Sequence, residues 1–446
     1  MDSKKYDLTN GSILNKLLLI SLPIMGTNVM QMSYNLTDLF WLGRLGNEAS
    51  GAVAAAAVAG VFVWISAAFL VMGRTGAQIG VSQGAGRSDT EWTKSFAASA
   101  FQFAAVMGTA VAFIFILNNQ YLIGFFNLED VHVVSNARVY LVITSIGLPL
   151  MFVSAVATGV FNGSGNSRIP FIINGIGFLI NMILDPLLIF RMQMGVTGAA
   201  IATVIANSIV CIISLLAIKR SRQRPFEDFR FFIKPDPEKL KQILKWGTPT
   251  MLENLFFGLL IMINSRIVAQ WGPSAVAASR IGSQIDSLTW LVAGGYSVAL
   301  TSFVGQNFGA NKPERIESGY KISTAAMFIW GAFVSCVLYF LGGTIGRMLV
   351  PDEETVVRVI SYARCYAIIQ IPVCLEYVAA GCFRGKGRTG PPSVCSIIGN
   401  TLRIPLALIL SRTSLGLTGA FLGLSVGVLF RSLPLCIWYF KSRRRA

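Results

Sequence analysis

Of the 446 residues, 54% are hydrophobic and 13% charged, and the mean hydropathy is +0.62, a composition that excludes an ordinary water-soluble domain. The formal net charge of +16 would suit a nucleic-acid arm if the bases formed one patch, but they are dispersed among apolar runs. The seven cysteines include no C-x-x-C pair and read as small core hydrophobes rather than a disulfide or metal framework.

In chain order, apolar runs close to the roughly 20 residues that cross a bilayer fall near residues 17–42, 51–73, 95–117, 139–161, 171–190, 196–218, 247–270, 279–304, 322–341, 362–383, 392–411 and 415–440. About twelve spans predict an all-α polytopic membrane protein. The stretch before the first run, Met1 to Lys16, is polar, and no small-residue cleavage site follows it, so the first helix is expected to stay.

Assigning loops to alternate sides makes the bases one-sided. On the side of the N-terminus lie Lys4, Lys5, Lys16, Arg74, Arg87, Lys94, Arg168, the block Lys219 to Lys245, Lys312, Arg315, Lys321, Arg384, Lys386, Arg388 and the tail Lys441 to Arg445. Opposite them stand Arg44, Arg138, Arg191, Arg347, Arg358, Arg364 and Arg412. The bias predicts a multi-pass protein of the cell (inner) membrane with both termini cytoplasmic, and it makes the basic tail a topology signal or lipid contact rather than a nucleic-acid arm.

The chain also repeats itself. "GVFNGSGN" and "GCFRGKGRT" share G-x-F-x-G-x-G, pairing Gly159, Phe161, Gly163 and Gly165 with Gly381, Phe383, Gly385 and Gly387 at an offset of 222. "GVTGA" pairs with "GLTGA", "SQGAG" with "GQNFG", and Pro23 with Pro249, all in order. Six spans per repeat return the chain to its starting side, so two six-helix lobes (1–218 and 246–446) are expected in parallel orientation, joined by a cytoplasmic linker at 219–245 and enclosing a central cleft.

Acids inside spans are costly and need reasons. Asp38 in the first span and Asp185 in the fifth should lie at similar depth, with Asn181 one turn before Asp185 and Thr203 nearby on the sixth span. Two carboxylates in one pocket suit proton exchange, whereas the same oxygens with an amide and a hydroxyl suit Na+. Their counterparts in the second repeat are Asn264 and Ala407. A structural acid should be needed by both lobes, so the asymmetry favours function. Glu253 and Glu376 form a second, weaker pair, while Asp286, Arg266, Arg280, Arg403 and Arg431 read as internal partners or loop anchors. Tyr34, Met30, Met262, Glu253 and Glu376 are candidates for lining a substrate cleft, flexible methionines being suited to varied ligands.

The motifs "YNLTDLFWLGRLG", "GVFNGSGNSRIP", "NMILDPLLI", "GVTGAAIAT", "VGQNFGAN" and "GCFRGKGRT" resemble, in order and over essentially the whole chain, those of the multidrug and toxic compound extrusion (MATE) transporters, and in the first and third the archaeal branch. The resemblance implies a secondary active exporter of cationic or amphipathic organic compounds, working by alternating access as a monomer without a cofactor and driven by H+ or Na+. It also implies that Asp38, Asn181, Asp185 and Thr203 are the cation-coupling residues of the first lobe, and that Glu253 matches a glutamate of a second cation site. The acid expected on the tenth span would fall near Val373, one turn from Glu376.

The main rival is a lipid-linked precursor flippase of the same superfamily, whose extra helices and basic cavity are not expected here. An enzyme is not expected: "GLSVG" fits G-x-S-x-G but sits in an apolar helix, the single histidine, His132, is in an outer loop, and no P-loop occurs.

Overall fold

A computed structural model describes residues 6–46, 49–221 and 226–443, with all of their side chains except those of residues 35 and 39. Lys4, Lys5, Arg444 and Arg445, counted above in the charge bias, and residues 222–225 of the expected linker lie outside the described residues. The long helices are α1 (Ile13–Leu42), α2 (Ala49–Gly86), α3 (Thr90–Leu117), α4 (Val131–Gly163), α5 (Arg168–Arg191), α6 (Gly195–Lys219), α7 (Pro237–Ala269), α8 (Pro273–Gly309), α9 (Pro313–Leu349), α10 (Glu353–Ala367 and Gln370–Gly385, bent by 48°), α11 (Gly390–Ser411) and α12 (Gly416–Arg443). Eleven are long and apolar enough to cross a membrane, twelve if the bent pair is one span. Large side chains point outward along them, among them Val106 (71% exposed) and Phe340 (72% exposed), the reverse of a water-facing surface and what lipid requires.

Helix boundaries follow local chemistry. Asp130 caps α4 by accepting from the N–H groups of His132 (2.8 Å) and Val133 (3.3 Å), and Asp89 caps α3 by accepting from Trp92 N (2.9 Å). Asp352 does the same for α10, accepting from Thr355 N (2.9 Å), and the Thr355 hydroxyl and N–H hold its carboxyl below the usual carboxylate range. Gly195 and Gly416 start α6 and α12 with φ of 52° and 51°, a left-handed conformation that suits glycine.

Several helices outrun their apolar stretches, α2, α7, α8 and α9 among them. The expected span 51–73 belongs to a helix that continues to Gly86, because Gly76, Gly80 and Gly84 let that polar-looking extension press against Ile243, Phe96 and Thr93. The expected 279–304 likewise continues to Gly309. Hydropathy marks where lipid lies; close packing decides where the helix stops.

The chain forms two compact units. The first is Leu22–Met251 with the described part of Met1–Asp7. Its core gathers Phe96, Phe101, Phe152 and Phe161 with many alanines, and Phe226 and Phe229, just after the undescribed part of the linker, are buried in it. Gln102 on α3 donates through Nε2 to the carbonyls of Phe231 (3.2 Å) and Ile233 (2.8 Å), which binds that segment to the unit. Helices α2 and α4 cross so closely that a methyl group on Gly159 would lie 2.5 Å from the Arg74 carbonyl oxygen, and one on Gly163 2.6 Å from that of Gln78.

The second unit is Leu8–Ser21 with the described part of Leu252–Ala446. Here α8 and α10 cross in the same manner: a methyl group on Gly381 would lie 2.8 Å from the Ser297 carbonyl oxygen, and one on Gly385 2.7 Å from that of Thr301. The N-terminal segment is held by the end of α8 and the start of α9. Leu8, fully buried, donates its N–H to Gln306 Oε1 (3.0 Å), and its carbonyl accepts from Asn307 Nδ2 (3.2 Å) and Arg315 Nε (3.2 Å).

Candidate functional site

In the first unit, α1, α5, α6 and α4 bring polar groups together in an apolar surrounding. Asp185 is fully buried just before Pro186, after which the helix loosens into a π turn, Leu187–Arg191. Proline removes a backbone donor, and such turns recur at functional sites. Asn181, also fully buried, donates through Nδ2 to Asp185 Oδ1 at 3.2 Å. Asp185 accepts from Asn181, and among the described residues no backbone N–H of the π turn donates to it.

Asp38 on α1 faces Asp185 closely enough for the two carboxyl groups to interact. The Tyr34 hydroxyl, one turn earlier on α1, approaches both Asp38 and Thr203 on α6. Five oxygens lie here without a well-aligned hydrogen bond among the described residues: Tyr34 Oη, Asp38 Oδ1, Asn181 Oδ1, Asp185 Oδ2 and Thr203 Oγ1. Unpaired polar atoms in a dry interior are costly unless something occupies them. The oxygen set, with its two carboxyls, fits a proton, and it equally supplies hard ligands for a small cation. Among the described residues, no group of three or more His, Cys, Asp and Glu side chains forms a metal cluster.

Tyr140 on α4, half-buried and close to both acids, is a member of this pocket that sequence reading missed. Its only signal there is a repeat partner, Tyr362, at the same offset of 222. The side chain of Asn35, next to Tyr34, lies outside the described ones.

The other candidates fall elsewhere. Met30 packs toward Gly175 on α5, and Met262 is 64% exposed on α7. Glu253 pairs with Arg384 (3.1 Å) and accepts from the Ser393 hydroxyl (3.0 Å). Glu376 is buried, lies 3.3 Å from Arg431 Nε and accepts from the Ser432 hydroxyl at 2.8 Å. The two glutamates thus have separate basic partners. Asp286 accepts from Gln370 Nε2 (2.8 Å) and Trp290 Nε1 (3.1 Å), and Arg403 donates to Leu424 O (2.6 Å), Asn400 Oδ1 (3.1 Å) and Tyr366 Oη (3.3 Å), so both are internal partners. Arg266 and Arg280 are exposed.

Comparison with known proteins agrees with this geometry. A family model described as MatE matches residues 23–187 and 249–409, one stretch for each repeat. Among curated relatives, a probable multidrug resistance protein NorM of Thermotoga maritima is 26% identical, covering 94% of this chain and 90% of that protein. A probable multidrug resistance protein YpnP of Bacillus subtilis is also 26% identical, covering 99% and 98%. Among solved structures, a MATE protein in complex with MaD3S superposes with a TM-score of 0.92 at 20% identity, over 99% of this chain and 98% of that one. Two matched stretches covering most of the chain, each carrying one copy of the repeat, place it: this polytopic membrane protein belongs to the MatE family, the multidrug and toxic compound extrusion transporters, and is a transport protein rather than an enzyme.

Proposed function

We propose that the protein is a secondary active multidrug exporter that expels small organic cations and amphipathic compounds by alternating access, in exchange for an inward-moving H+, or Na+ in its place. Curated relatives named for multidrug resistance support the transport reading. The observation that carries the coupling reading is the Asp38–Asp185 pair with its unpaired oxygens. A facing pair of carboxyls is a place to load and unload a proton, and Asn181 engages one oxygen of Asp185. Protonation removes the charge repulsion across the pair, so the loaded and unloaded forms favour different arrangements of α1 against α5.

In this reading twelve spans make two parallel six-helix lobes, 1–218 and 246–446, with the linker 219–245 and both termini cytoplasmic in the inner membrane. The matched crossings at Gly159 and Gly381, and at Gly163 and Gly385, support the repeat. The protein works as a monomer with membrane lipid around it.

The test is transport in proteoliposomes under separately imposed pH and Na+ gradients, with ethidium as the cationic probe. Ethidium should move against an inward H+ gradient. Flux indifferent to both gradients would sink the proposal, and flux following Na+ alone would reassign the coupling ion.

A further inference from the structure

The second unit contains a cavity of about 480 Å3 lined from α7, α8, α10, α11 and α12. By the repeat offsets it is the counterpart of the carboxyl pocket: Asn264 stands for Asp38, Arg403 for Asn181, Tyr362 for Tyr140 and Leu424 for Thr203, and all four line it. The acids are gone from these positions, and a guanidinium stands where the first unit has an amide. The same architecture has changed electrostatic sign.

Three guanidiniums, Arg280, Arg403 and Arg431, line the cavity against one carboxylate, Asp286; counting Glu376 behind Arg431 makes it three against two. Asp286 has both oxygens engaged, by Gln370 and Trp290. Arg431 is 5% exposed, and although its Nε lies 3.3 Å from Glu376, its Nε and Nη2 have no aligned acceptor among the described residues. Its guanidinium carbon sits 5.6 Å over the Trp290 ring centre, and the stacked Tyr362 and Tyr366, 4.1 Å apart, line the same cavity. A buried guanidinium with free donors beside aromatic faces asks for an acceptor on a flat molecule. The volume suits one or two rings.

We propose that this cavity is a binding site for an aromatic anion, a one- or two-ring molecule bearing a carboxylate or similar acidic group, with Arg431 and Arg403 holding the acid and Trp290 and Tyr362 the ring. It is a ligand site of opposite charge preference to the organic cations assigned above, and it stands apart from ion coupling at Asp38.

The test is isothermal titration of the purified full-length protein in detergent with 2-naphthoate, and with 2-naphthylmethylammonium as the cationic match. 2-Naphthoate should bind saturably at one site per chain, with Arg431→Gln weakening it about tenfold or more. Because Arg431→Gln strips Glu376 of its partner and can disturb folding, two variants that leave that pair intact accompany it: Ser287→Phe, which fills the cavity, should abolish binding, and Arg280→Gln at the exposed rim should weaken it severalfold. Asp38→Asn should bind 2-naphthoate as the wild type does, which separates this site from the coupling proposal. Unsaturable binding, wild-type affinity in Ser287→Phe, or tighter binding of the ammonium with its loss in Asp286→Asn would each overturn the assignment.

Discussion

Asn181 donates its side-chain amide to Asp185 across one turn of α5, Nδ2 to Oδ1 at 3.2 Å, and so engages one carboxylate oxygen of the acid that faces Asp38. Replacing Asn181 by leucine keeps the volume but removes the donor. Asp185 should then turn freely, and gradient-driven export should fall by about tenfold or more with expression unchanged, while Asn181→Gln retains part of it. Equal activity in the leucine and glutamine variants would show that the amide does not position the acid.

Asp38→Asn should abolish export while leaving a folded, membrane-inserted protein, since the asparagine fits the same volume without a titrating group. The check is drug resistance of cells expressing the variant, alongside its elution profile in detergent. A well-expressed variant that still confers resistance would falsify the coupling role.

If Asp38 and Asp185 act as one unit, their neutralisations should not add. A double-mutant cycle over Asp38→Asn and Asp185→Asn, read as melting temperature in detergent, should find the double variant's shift different from the sum of the two single shifts, because the repulsion across the pair is already relieved with its first member. Shifts that simply add would separate the two acids.

Orientation can be read by thiol labelling. In a cysteine-free background, which requires replacing the exposed Cys336 among others, a cysteine at the exposed Glu227 should resist an impermeant reagent applied to whole cells, and one at the exposed Gln120 should react. The opposite pattern would invert the topology.

The glycine crossings give a stability series. Gly159→Ala and Gly381→Ala each press a methyl group against a carbonyl, at 2.5 and 2.8 Å, and should cost about 1–3 kcal/mol each. Gly60→Ala, within α2 and with nothing within 4 Å of the added carbon, should be neutral or stabilising by a few tenths of a kcal/mol to about 1 kcal/mol. Thermal unfolding in detergent monitors all three, and three equal melting points would refute the steric account.

What the sequence made legible follows from the range of each interaction. Asp185 and Asn181 are four residues apart, so helical geometry alone put them on one face, and the cost of a mid-membrane acid marked Asp38. Tyr140 escaped notice because it reaches the acids from α4, roughly a hundred residues from Asp38 in the chain, and a half-buried tyrosine is indistinguishable from packing in a hydropathy pattern. The ion pair of Glu253 with Arg384 escaped for the same reason, since its partners are 131 residues apart. The polar ends of α2 and α8 were cut short because hydropathy responds to lipid contact, whereas glycine-mediated packing carries each helix on beyond its apolar stretch.

The hold on Leu8 has a practical consequence for work with this protein. The carbonyls of Leu8, Thr9 and Gly11 are acceptors for Asn307, Lys312 and Arg315, so the segment from Leu8 to Gly11 is a fitted part of the second unit. An affinity tag or reporter fused close to Leu8, or a trimming of the N-terminus past it, acts on the α8–α9 corner nearly three hundred residues away in sequence. Fusions intended to be silent therefore need a spacer ahead of Tyr6, and differences in behaviour between differently tagged preparations have a ready physical origin in that corner.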